Sequence, residues 1–303
     1  MKHHLIILIT AFFIMVVQII FVQPTYADSS VIIGVVAETA RDKLPAAARI
    51  LFANNGNGWT VLDSPSTYTS HVEKQMTWTL AFDGRRLGEI KTIDDVKSPY
   101  PATCTSCFSK AKIVRLENES LFPKLKNKEE RFANWMFLPK YRPIVLNTQP
   151  YYADPEKWSL IKPNKHILTS IFPELKKLIK DPYHCNGEPN WDATRINLTI
   201  DGTSLFRLYG NNGGAMIVSA GLAQKHLNDC DGPSDKSNYP IWFYIKGDKI
   251  KLIGYELDLL DAGDYDNDGE VEFIFHYSGY NRDGYILFES EFSGRFDYIW
   301  NYH

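Results

Sequence analysis

The stretch Asp264-Tyr265-Asp266-Asn267-Asp268-Gly269-Glu270-Val271-Glu272 constrains this chain more than any other. It places acidic residues at loop positions 1, 3, 5, 7 and 9 and a glycine at position 6. Five carboxylates so close in sequence repel one another unless a cation lies between them. Calcium is a hard cation that takes six to eight oxygen ligands. A tight loop supplies them when alternate side chains turn inward. Asp264, Asp266 and Asp268 sit at odd positions, and Gly269 permits the sharp return because glycine reaches positive φ without steric cost. The main-chain carbonyl of Glu270 falls at position 7 and Glu272 closes the shell. The expected ion is Ca2+ in a structural role. An EF-hand requires a bidentate glutamate at position 12. That position is Phe275, so the loop is not an EF-hand. The competing reading is an Asp/Asn-rich hairpin turn without metal, since those residues tolerate left-handed backbone and bond to their own main chain.

No exiting helix follows the loop. Residues 271–276 are β-branched and aromatic and read as a strand. A turn over 278–284 then leads into a second strand over 285–288. Asp264, Asp266, Asp268, Gly269 and Glu272, followed by Gly279-Tyr280 and Gly284-Tyr285-Ile286-Leu287-Phe288, resemble the FG-GAP/VCBS repeats of integrin-type β-propellers and of many secreted bacterial proteins. The resemblance spans residues 261–290. It implies a calcium loop between the first two strands of a propeller blade. The family's Phe-Gly and Gly-Ala-Pro signatures are absent, and one copy is present where repeat architectures need at least three. The expectation is therefore a mainly β fold with minor α, built of antiparallel hairpins and meanders, with a degenerate or partial β-propeller as the architecture the resemblance implies.

At the other end, Lys2 precedes an apolar run over 5–22, Pro24 stops any helix, and Thr25-Tyr26-Ala27 offers small residues for a signal peptidase. Residues 1–27 read as a secretory signal peptide. The alternative is an uncleaved anchor, because the run is nearly long enough to span a bilayer. The expected location is secreted or periplasmic, with no membrane association after cleavage. The chain carries 33 Lys/Arg against 36 Asp/Glu, a formal net charge of −3, and loss of Lys2 makes it −4. That balance argues against nucleic acid as a partner.

Turn signals divide the rest into a hairpin region, 28–145, and a second β-rich region with one helix, 146–303. Strands are expected over 31–36, 48–52, 59–62, 78–82 and 87–92, with turns at Asn54-Asn55-Gly56-Asn57-Gly58 and Asp83-Gly84. Residues 38–47 carry a possible helical turn. Residues 97–132 read as a wet loop. The aromatics and prolines of 133–163, among them Trp135, Tyr141, Tyr151, Tyr152 and Trp158, suit either a ligand groove or the packing of irregular loops onto a core. The periodicity of Ile167, Leu168, Ile171, Leu175, Leu178 and Ile179 predicts a helix over 166–180, with Pro173 opening a fresh helical segment. Strands follow over 196–200, 205–209 and 215–218. A five-strand meander over 240–303 contains the acidic loop, and its last strand places Phe296, Tyr298, Trp300 and Tyr302 on one face.

The chain has four cysteines, Cys104, Cys107, Cys185 and Cys230. In an exported chain an even count points to disulfides. Three pairings exist, and Cys104–Cys107 with Cys185–Cys230 is the favoured one. Closing the second loop, roughly 44 residues, stabilises by about 3–4 kcal/mol on the chain-entropy model. A thioredoxin-type use of Cys104 and Cys107 lacks the preceding strand that such a motif needs. The histidines of the mature chain are His71, His166, His184, His226, His276 and His303, and none forms a zinc-protease or serine-hydrolase motif. By alternation His276 shares a strand face with Glu272 and Ile274, where a packed or surface role is the ordinary one. Glu256 and Asp258 are a carboxylate pair of the kind a glycosidase uses. Three functions stay open. The first is a binding or structural protein with a rigidifying calcium, acting on an envelope protein, a cell-wall glycan or a host surface. The others are a secreted hydrolase assembled from distant residues, and a thiol-disulfide protein.

Overall fold

A computed structural model of the chain describes residues 30–36, 47–68, 75–82, 84–95, 113–117, 120–122, 145–180, 183–185, 193–195, 197–223, 239–279 and 282–301. Residues 1–29, the segment 38–46, Cys104, Cys107, Cys230, His71, His226, His303 and the aromatics from Trp135 to Tyr141 lie outside the described residues. The fold is mainly β, and among the described residues all strand pairings are antiparallel.

The first seven strands are β1 (Val31–Val36), β2 (Ala47–Asn54), β3 (Trp59–Val61), β4 (Thr77–Phe82), β5 (Arg85–Asp95), β6 (Ile113–Leu116) and β7 (Val145–Asn147). They hydrogen-bond in the order β1-β7-β4-β5-β6-β2-β3, and β1 also pairs with β2. The pairings therefore run round a ring of six strands with β3 attached to the end of β2. A sheet that curls onto itself leaves its ring strands no free edge. Its interior holds Ile32, Ala48, Ile50, Trp78, Leu80, Ile90 and Val114. Gly34 makes the curl possible at β1, since a Cβ there would lie 2.8 Å from the Arg49 carbonyl oxygen and against Trp78.

A two-residue strand β8 (Ser159–Leu160) and helix α1 (Lys165–Leu178) come next, followed by β9 (Tyr183–Cys185) and β10 (Ala193–Arg195), which pair with each other. Asn164 caps α1 by accepting from the His166 amide at 2.9 Å. Pro173 stands inside α1 and starts no new segment. The helix continues because Pro173 and Thr169 are on its exposed side, so the Thr169 carbonyl that loses its partner meets water. Meanwhile Leu168, Ile171 and Leu175 bury one continuous face across the proline. Of the strand expected at 196–200, the described residues 197–200 form none. Thr199 instead caps a 3-10 turn, Ile200–Gly202, its hydroxyl accepting from the Gly202 amide at 3.2 Å.

The remaining strands are β11 (Thr203–Gly210), β12 (Met216–Leu222), β13 (Ile241–Lys246), β14 (Lys249–Tyr255), β15 (Leu257–Gly263), β16 (Glu272–Gly279), β17 (Arg282–Phe288) and β18 (Arg295–Asn301). The expected five-strand meander is divided. β14-β13-β12-β11-β8 form one sheet and β15-β16-β17-β18 another. The chain leaves the first sheet at Glu256, whose φ of 58° ends β14. β14 is largely solvated, whereas β15 is buried along nearly its whole length. Stacking the second sheet on the first hides more apolar surface than extending it sideways would. Tyr209, Trp242 and Tyr244 of the first sheet meet Phe273, Phe275 and Phe288 of the second. Helix α1 covers the far face of the first sheet. The second sheet's other face, with Leu260, Ile274, Tyr285, Leu287, Tyr298 and Trp300, packs on Val31, Ile33, Phe52 and Trp59 of the curled sheet. The four-stranded sheet is thus covered on both sides, and the acidic loop is its β15–β16 connection.

Candidate metal centre

The loop between β15 and β16 is shaped by its own aspartates. Asp264 accepts from the amides of Asp268 at 3.2 Å and Gly269 at 3.0 Å, and Asp268 accepts from the Glu270 amide at 2.8 Å. Asn267 and Gly269 take positive φ, 64° and 91°. Asparagine and glycine do so at little cost. The result is a coil in which Asp264, Asp266 and Asp268 each offer one carboxylate oxygen, all within 4.8 Å of one another. Among the described residues these three form the one cluster spaced to hold a cation.

Glu272, which the cluster of three does not include, is 3% exposed, with one oxygen accepting from the Tyr265 amide at 2.9 Å. Glu270 is exposed and stands outside the trio. Burial pushes the Glu272 carboxyl up to about 9, and the charges of Asp266, Asp268 and Asp264 add to that rise. Burial, with Asp268 next, pushes Asp266 up to about 6, and Asp264 is raised as well. One oxygen of Asp266 accepts from the Asn54 side-chain amide at 2.7 Å. The other is shielded from solvent and has no hydrogen-bond partner. A buried carboxylate oxygen left so is costly unless a cation or proton meets it. An all-oxygen donor set with this charge suits a hard divalent cation, calcium before zinc, which prefers nitrogen and sulfur.

The loop is fastened to its surroundings by groups that alternation in the sequence does not single out. Asp261, fully buried in β15, accepts from the hydroxyls of Tyr152 at 2.7 Å and Tyr265 at 2.8 Å and from the Gly84 amide at 3.3 Å. The side chain of Asn147 donates to the Tyr265 carbonyl at 3.1 Å, and the Asp264 amide donates to the Ala153 carbonyl at 2.9 Å. A lone carboxylate inside the apolar run Leu259-Leu260-Asp261-Ala262 is the signal that would have found Asp261.

The other candidates fall elsewhere. His276 is buried on the face of β16 that meets the curled sheet, with Nε2 at 2.7 Å from Asp283 and its ring against Tyr285. Asp258 pairs across from it, and burial lifts that carboxyl to about 7 against the opposing pull of His276 and Arg207. Glu256 hydrogen-bonds Tyr277, the strand neighbour of His276 on the opposite face. Glu256 and Asp258 therefore serve opposite faces of β16 and do not converge on one point. His166 is exposed on α1, and Cys185 closes β9 opposite Ala193. Of the aromatics that suit a groove by sequence, Trp158 is buried, its Nε1 donating to Glu156 at 2.7 Å, and the Tyr152 hydroxyl donates to Asp261. Tyr151 is exposed. No protein-family model, curated protein or solved structure matches this chain.

Proposed function

We propose that this chain is an exported calcium-binding protein of binding or structural type, in which the 264–272 loop holds a Ca2+ ion that rigidifies the joint between the four-stranded and curled sheets. The observation that carries this reading is the convergence of the Asp264, Asp266 and Asp268 oxygens. Glu272, where β16 begins, is buried, and one oxygen of Asp266 itself has no hydrogen-bond partner. The ion supplies positive charge and extra coordination. The chain's own groups set the loop's curvature and hold it against the two sheets. The FG-GAP/VCBS-like residues 261–290 support the same reading, and so does the blade-like up-and-down order of β15 to β18. The apolar leader and the even cysteine count support export with disulfides. Calorimetric titration of chelator-treated protein with calcium tests it. Saturable uptake near one ion per chain is expected, lost in Asp266→Ala. Heat-silent titration of folded wild-type protein at millimolar calcium would remove the proposal.

A further inference from the structure

Asn54 ends β2 at the mouth of a tight turn in the curled sheet and is 8% exposed. Its side-chain oxygen accepts from the amides of Gly56 at 2.8 Å and Gly58 at 3.3 Å. Both glycines have positive φ, 85° and 111°, with open space around them. This turn is one that glycine alone adopts readily. With two N–H groups on its oxygen, the amide of Asn54 has only one sensible orientation, so its NH2 must face the other way. There it donates to Asp266, a residue 212 positions along the chain. The Asp266 oxygen so held is Oδ2, and the unpartnered one is Oδ1.

We infer that Asn54 is a positioning residue for the cation loop, and that through it cation occupancy is read by the β2–β3 turn of the curled sheet. Groups behind metal ligands fix the orientation of those ligands, and their loss typically lowers affinity about 10–100-fold. Coupling of this kind is reciprocal: whatever factor Asn54 contributes to cation affinity, the cation returns to the turn. The inference rests on the calcium reading above, and the two fail separately.

The test uses the full chain, calcium chloride as the probe, and the variants Asn54→Ser and Asn55→Ser. A serine at 54 still offers an oxygen to the turn amides but is too short to reach Asp266. Its calcium Kd is expected to rise about 10–100-fold, in a chain that still melts cooperatively in EDTA. Asn55→Ser, in the same exposed turn, should bind like wild type. Amide hydrogen exchange on wild-type protein gives a second, variant-free reading. Exchange at Gly56 and Gly58 should slow by about the same factor when calcium is added. Wild-type binding with an unchanged Kd in Asn54→Ser, or with Gly56 and Gly58 exchange indifferent to calcium, overturns the inference and leaves the calcium reading standing. Absence of calcium uptake by folded wild type overturns both.

Discussion

At the residue scale the acidic loop makes a pH argument with a definite sign. Unfolded carboxylates titrate near pH 4. In the folded chain Asp266 rises to about 6 and Glu272 to about 9, with Asp264 raised too. Between those limits the folded state without a cation binds more protons than the unfolded one. Its stability is then complete at low pH and falls as pH climbs through each raised value. A bound cation reverses this by favouring the charged forms. Melting in EDTA should therefore drop steadily from pH 5 to pH 9, while melting in excess calcium stays level. Glu272→Gln keeps an oxygen for the Tyr265 amide and needs no proton on folding at pH 8, where a carboxyl raised to about 9 must take one up. It should raise EDTA-state stability at pH 8 by a few kcal/mol, at about 1.4 kcal/mol per unit of raised value, and flatten the pH profile. A flat wild-type profile in EDTA would contradict the burial of that carboxylate. The acidic spacing and Gly269 were visible in the sequence because ligand loops repeat every second residue. Asn54, Asn147 and Asp261 were not, because their partners lie far along the chain and only folding brings them together.

At the element scale the strand pairs were the most legible part. Asp83-Gly84, Asn55-Gly56 and Gly247-Asp248 announce their hairpins by backbone conformation alone, and β4–β5, β2–β3 and β13–β14 close over them. The sheet boundary at Glu256 was not legible. A strand's period of two says which residues share a face, but not which of two stacked sheets the strand joins. Here the deciding contact is aromatic. Phe275 is fully buried, edge-on to Trp242 at 5.4 Å and to Phe288 at 5.5 Å. Phe273 stacks on Phe292 at 4.6 Å and meets Trp158 edge-on at 5.4 Å. The turn that delivers Phe292 takes two successive positive φ values, at Glu291 and Phe292. Lys251 holds it from the first sheet by donating to the Phe292 carbonyl at 2.8 Å. Phe275→Ala removes the centre of this layer and should cost about 3–5 kcal/mol, as large-to-small core changes do. Denaturant titration measures it. A loss under about 1 kcal/mol would mean that the two sheets are not locked by this contact.

For the whole molecule, the question is whether the curled sheet and the stacked sheets melt together. Their interface combines apolar packing with the Arg49 guanidinium 4.4 Å over the Trp300 ring. It also includes the His276–Asp283 contact on the covered face, where loss of one partner strands a buried polar group. The acidic loop adds hydrogen bonds from both sides of the same interface, Asn54 and Asn147 from the curled sheet and the Tyr265 amide from within. A ligand that binds only the folded form stabilises it by about 2.7 kcal/mol at a hundred times its Kd. For a chain of this size that is a rise in Tm of about 5–10 °C. Because the acidic loop lies where the two parts meet, the whole rise from an ion held there should appear in one transition. Scanning calorimetry with calcium and with EDTA distinguishes the cases. A single peak that moves as a unit means the loop joins the two parts into one cooperative body. Two peaks with only one moving would mean that the curled sheet folds without reference to the loop, and that the Asn54–Asp266 bond transmits nothing across the interface.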